Sequence, residues 1–124
     1  MSKLQEDYND MVAALAKPGI DILDSLTPEK CHLIHMGVGV VGEAGELIDA
    51  IKRQVFYNKE IDRVNVIEEL GDLEFYMEGI RKGLNISRDQ TLLSNMSKLL
   101  TGEKARYKLG KFTDKQAQDR RDKE

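Results

Sequence analysis

Tryptophan is absent from this chain of 124 residues, cysteine occurs once, and proline occurs twice. One cysteine, Cys31, excludes an intramolecular disulfide framework and fits a reducing, cytoplasmic setting. No catalytic-cysteine pattern surrounds it, so it reads as a small buried apolar residue rather than a nucleophile. No stretch approaches the ~20 apolar residues of a membrane span, and the N-terminus lacks the layout of a signal peptide. No membrane partner is expected. An excess of positive charge is also lacking: the formal net charge is -3, which argues against broad nucleic-acid binding. The deficit is uneven. Residues 1–100 hold 11 basic and 17 acidic side chains, whereas residues 101–124 hold 8 and 5. A basic C-terminal end beside an acidic body suits phosphate beside metal, or is a solvated tail; charge alone leaves both open.

What the chain does have is helical periodicity. At this length, with 40% apolar and 33% charged residues, it reads as one domain over residues 1–124, with a basic, polar segment at 110–124. Leu4, Tyr8, Met11, Val12 and Leu15 predict a helix over residues 3–16, stopped by Lys17-Pro18-Gly19. Thr27-Pro28 is a start signal for a helix from Pro28 to about Tyr57, with Leu33, Ile34, Val41, Leu47, Ile48, Ile51 and Val55 apolar. Gly37, Gly39, Gly42 and Gly45 each cost that helix roughly 1 kcal/mol relative to Ala, so close packing or a close ligand is expected there. A third helix spans about 61–82, with Val66, Ile67, Leu70, Leu73, Met77 and Ile80 inward and Gly83 as its stop. Ser87 to Gln90 has the form of a capping box and opens a fourth, and Thr113 to Gln116 repeats the form before the last segment. No strand pattern emerges. The expected architecture is an all-α bundle of four to five helices, its core completed by oligomerisation.

Two acidic pairs interrupt this apolar periodicity. Glu43 and Glu46 lie in Gly42-Glu43-Ala44-Gly45-Glu46-Leu47, and Glu69 and Asp72 lie in Glu68-Glu69-Leu70-Gly71-Asp72. Acids three apart share a helix face and repel by a few tenths of a kcal/mol. Buried without partners, they would cost several kcal/mol each, so they stay wet, take a proton or bind a cation. Magnesium accepts oxygen ligands from a few carboxylates, water and phosphate, and bundles build such sites from facing helices. The short connection between the two helices predicts an antiparallel pair that brings the acids face to face. One such pair is ordinary on any exposed helix; two with interleaved glycines are more specific.

These motifs resemble the MazG-like family of all-α nucleoside triphosphate pyrophosphohydrolases, marked by E-x-x-E, a spacer and E-x-x-D. The resemblance runs through Lys52 and Tyr76 into Asn95-Met96-Ser97-Lys98-Leu99, Arg106-Tyr107, Gly110-Lys111-Phe112 and Arg120. It implies that Glu43, Glu46, Glu69 and Asp72 hold magnesium, with manganese as a substitute, and form the catalytic centre. It implies that Asn95, Lys98 and Arg106 reach the nucleotide. Many members open the first motif with two adjacent acids, and Gly42 stands at the first of those positions here. Which group takes the proton from the attacking water therefore stays open.

The resemblance implies hydrolysis of a (deoxy)nucleoside triphosphate to monophosphate and pyrophosphate, in nucleotide-pool control or house-cleaning, by a homodimer or homotetramer. A helical module that binds or sequesters nucleotides with little or no turnover is the alternative, kept open by Gly42. A DNA-binding role fits poorly with acidic middle helices. Which nucleotide is favoured, whether a deoxynucleoside triphosphate, dUTP or a damaged nucleotide, is not written in the motifs. His32 and His35 lie within about 40° of Glu46 around the helix and are either lining for a base or sugar, His35 the substrate-binding candidate, or packed side chains. Asp49 is an outer acid or an ordinary surface one. Tyr76 is a core or interface aromatic, or a stacking platform. Lys104, Lys108 and Lys111 are further phosphate-contact candidates, with solvated lysine the default reading.

Overall fold

The segment between Lys3 and Leu100 folds into helices alone: α1 Lys3–Leu15, α2 Gly19–Ser25, α3 Pro28–Tyr57, α4 Arg63–Gly83 and α5 Arg88–Leu100. The structure is a computed structural model, and it describes residues 1–100. The basic C-terminal segment, with its Thr113–Gln116 signature, lies outside the described residues.

Local chemistry accounts for the boundaries. The Ser2 side chain accepts from the Gln5 backbone N–H and starts α1. α1 ends at Leu15, just before Lys17, whose place ahead of Pro18 disfavours a helical backbone. Pro18-Gly19 then acts as a start as well as a stop, because α2 begins at Gly19 with Asp21 in its first turn. Sequence periodicity did not predict α2; seven residues are too few to display an apolar period. Thr27 Oγ1 accepts from the Lys30 N–H at 3.2 Å, with Pro28 in the first helical position, so α3 begins as expected. Asn58 ends α3 in the left-handed region at φ 51°. Asp62 caps α4 through the Asn65 N–H at 3.1 Å, which moves its start two residues past the predicted one.

The five residues between α3 and α4 are too few for a crossover, and the two helices pack antiparallel as the one extensive helix–helix contact among the described residues. Small residues set their register. A Cβ at Gly39 would fall inside the Tyr76 ring, and one at Gly79 would collide with the Met36 thioether. At Gly83 a Cβ would stand 2.7 Å from His32 Cδ2. Gly83 is the last residue of α4, the stop expected there, and also serves close packing; the left-handed backbone that follows falls on Asn85, at φ 55°. Cβ atoms at Gly37, Gly42, Gly45 and Gly71 would meet no described residue within 4 Å, so packing among the described residues explains Gly39 but not the rest of the α3 glycines.

The core among the described residues is small: Met36 and Ala50 are its buried apolar side chains, and Arg81, at the Met36 end, is its buried charged one. Leu33, Leu47, Val66, Leu73, Met77 and Ile80 are half-buried on the α3–α4 seam, whereas Ile34, Val41, Ile48, Val55, Ile67 and Leu70 are exposed. The apolar row of α1 is exposed too, as is most of that of α5. Cys31, read from the sequence as buried, is exposed, because it lies about 140° around α3 from Met36 and so away from the α4 seam.

Candidate metal centre

α3 and α4 continue in the same register beyond Gly39 and Tyr76, and there the seam turns acidic. Glu43 from α3 and Glu69 and Asp72 from α4 each offer a carboxylate oxygen, and the three oxygens lie within 4.8 Å of one another. Glu43 falls about 20° around the helix from Met36, which is why it points along the packed seam. Glu46 falls about 80° away, is exposed, and stands outside this group. Of the four acids expected to converge, three do so, and Glu46 flanks them.

Glu69 carries the electrostatic strain. Its Oε2 is shielded from solvent and accepts no hydrogen bond from any described residue. Its pKa is raised from the ordinary 4.5 to about 7. The largest cause is a hydrogen bond with Glu43, which only protonated Glu69 can donate; burial follows, then the charges of Glu43, Glu46 and Asp72. Glu46 thus acts on the site through its field, although its oxygens stand apart. A shielded oxygen with no donor takes either a proton or a cation. Bonds of about 2.1 Å to magnesium would place ligating oxygens about 2.9–4.2 Å apart, close to what this group already spans. The donor set, all carboxylate oxygen, suits magnesium or manganese over softer metals. The residues fit the ion.

The other candidates separate into three sets. His32 is a packing residue: its Nε2 donates to the Gly79 carbonyl at 2.8 Å, which requires the Nε2–H tautomer. His35 is exposed and meets Tyr76 edge-on, with ring centroids 6.3 Å apart, while Phe75 meets the same ring at 5.2 Å. Tyr76 lies against Gly39, as expected of an interface aromatic. Asp49 pairs with Arg53 at 3.0 Å, the ordinary surface reading. Asn95 and Lys98 are exposed on α5, and no hydrogen bond or ion pair among the described residues joins either to the carboxylates. Arg106 lies outside the described residues, as do Lys104, Lys108 and Lys111.

One cluster was not anticipated. Buried Arg81 reaches Glu78 at 2.9 Å and Glu74 at 3.6 Å, and Glu74 also meets Arg88 at 3.4 Å. The chain of charges ties the start of α5 to the last turns of α4. With His32, Met36 and Phe75 it lines a cavity of about 560 Å³. The Glu78–Arg81 spacing was a readable signal, but only the packing of α3 over it makes Arg81 differ from any arginine in a last helical turn.

No family model, curated protein or solved structure matches the chain.

Proposed function

We propose that the protein is a magnesium-dependent hydrolase of nucleoside triphosphates, releasing the monophosphate and pyrophosphate, and that it resembles the MazG-like enzymes in fold as well as motif. The observation that carries the reading is the shielded, donorless oxygen of Glu69 held beside Glu43 and Asp72. A protein gains nothing structural from keeping three carboxylates in contact; a cation gives them a use.

In this reading Glu43, Glu69 and Asp72 hold the ion, and Glu69 gives up its proton to do so. Magnesium, when bound, would neutralise triphosphate charge and favour attack by water at phosphorus. Glu46, close enough to raise Glu69 yet outside the trio, would take a proton from that water, the task left open by Gly42. Asn95, Lys98 and Arg106 would meet the phosphates, with His35 at the nucleoside beside Tyr76, and spreading negative charge there calls for such cations. The protein would work as a cytoplasmic homodimer or homotetramer, which would cover the apolar surface that α1, α3 and α5 leave exposed.

Gly42 supports a second reading, a binding module with little or no turnover, since it is exposed beside open space where an acid would stand. One experiment separates them. The protein is incubated with magnesium and a panel of ribo- and deoxynucleoside triphosphates, including dUTP and oxidised bases, and pyrophosphate is measured. Release with at least one substrate, lost on chelation, is expected. Tight binding with no release would give the module reading the advantage.

A further inference from the structure

α3 has a second apolar row, turned away from α4. Ile34, Val41, Ile48 and Val55 recur every seven residues and expose 62, 73, 59 and 66% of their surface. At 100° per residue the row begins about 180° from Glu43 and drifts about 20° per repeat, which a gentle supercoil takes up. All four are β-branched, the shape that fills the spaces between paired helices best. Between them stand Gly37, Ala44 and Gly45, and a Cβ at either glycine would meet no described residue within 4 Å. Small residues of this kind are useful where another backbone comes close.

We propose that this row is the self-association surface of the chain: a second copy docks the same face of its own α3 across a two-fold axis at Ala44–Gly45. The proposal rests on the homo-oligomer reading above and assigns its surface. The row is its own complement, because its four positions are symmetric about Ala44–Gly45. An antiparallel partner therefore sets Ile34 against the partner's Val55 and Val41 against the partner's Ile48, with Ala44 and Gly45 at the crossing. Identical patches meeting in this way are what a two-fold interface requires.

Length and period together select the occupant. The row runs about 32 Å; α1 and α5, at 13 residues each, reach about 20 Å, and α4, at 21 residues, reaches about 32 Å but exposes no apolar residues seven apart. Residues 101–124 carry 8 basic and 5 acidic side chains, and their sequence holds no run of four apolar residues at seven-residue spacing. α3, at 30 residues, is the described helix that matches the row in both length and period. The carboxylates, on the opposite side of α3, stay clear of this interface.

The test is solution mass by light scattering at micromolar concentration, with helicity checked by circular dichroism. The natural chain should run at twice 14.1 kDa or more, and the Val41→Glu/Ile48→Glu double variant should remain helical and fall to 14.1 kDa. Retention of the higher mass by the double variant would overturn the interface while leaving the oligomer reading intact. A 14.1 kDa natural chain would overturn both. Ala44→Cys in a Cys31→Ser background gives a check independent of variant stability: mild oxidation should yield a covalent dimer, and its absence counts against the axis. Leu4→Glu/Leu15→Glu, on the exposed row of α1, should leave the mass unchanged; dissociation by that pair alone would place the interface on α1 instead.

Discussion

The two ends of the α3–α4 seam share helices and register but have opposite chemistry. At one end Gly79 and Gly83 let Met36 and His32 sink against the backbone of α4, and His32 donates to the Gly79 carbonyl. At the other, the same approach forces Glu43, Glu69 and Asp72 into one another's fields. Close packing at the first end holds the helices close enough to make the second end electrostatically uncomfortable. A site that would repel itself open is kept shut by glycines one to three turns away.

The largest way to sharpen this contrast is to remove acids one at a time. Asp72→Ala should abolish magnesium binding and lower pyrophosphate release by a factor of about 10² or more, on the scale of losing a charge-stabilising group. Glu46→Ala, outside the trio, should spare metal affinity while lowering kcat. Calorimetric magnesium titrations beside the turnover assay check both, and equal loss of metal binding in the two variants would put Glu46 back among the ligands.

Closing the packed end comes next. Gly79→Ala drives a methyl into Met36, and Gly39→Ala drives one into the Tyr76 ring. Each should lose about 1–3 kcal/mol, read from urea midpoints, as overpacked cores do. If the seam holds the carboxylates together, Gly39→Ala should also weaken magnesium binding.

Proton competition gives a smaller, graded effect. Glu69 holds a proton below about pH 7 in the metal-free protein, and a cation must displace it. Apparent magnesium affinity should therefore drop towards about tenfold per pH unit below 7 and level off above it. The folded pKa exceeds the ordinary 4.5, so the folded state holds the extra proton between the two values. Metal-free stability should accordingly fall as pH rises from about 4.5 through 7, and magnesium should restore it above 7. Glu69→Gln should flatten both dependences; an unchanged pH profile in that variant would remove Glu69 as their origin.

The smallest expected effect is a gain. Gly42→Ala adds a methyl to open space on an exposed helical position and should stabilise α3 by up to about 1 kcal/mol. A loss there would reveal a close neighbour that the described residues do not supply.

Helix ends were legible where side chains cap the backbone directly. Thr27 with Pro28, and Ser87 with Gln90, are local motifs, and the latter closes reciprocally at 2.7 and 3.1 Å. α2 escaped because Pro18-Gly19 reads equally well as an end or a beginning. Burial was the least legible property: Val41 and Met36 are both apolar residues on α3, yet one is exposed and the other buried. Periodicity names an apolar side of a helix, not the neighbour that covers it.

The sequence by itself determined that the described chain is helical, where α3 begins and ends, and that two acidic pairs interrupt apolar helices. Those are consequences of capping, periodicity and charge within a few turns of chain. Only the tertiary structure decided that Glu43, Glu69 and Asp72 converge while Glu46 flanks them, that Glu69 bears the raised pKa, and that Arg81 is buried against Glu78. Those depend on the register between two helices, and that register is set by which glycine meets which large side chain across the seam.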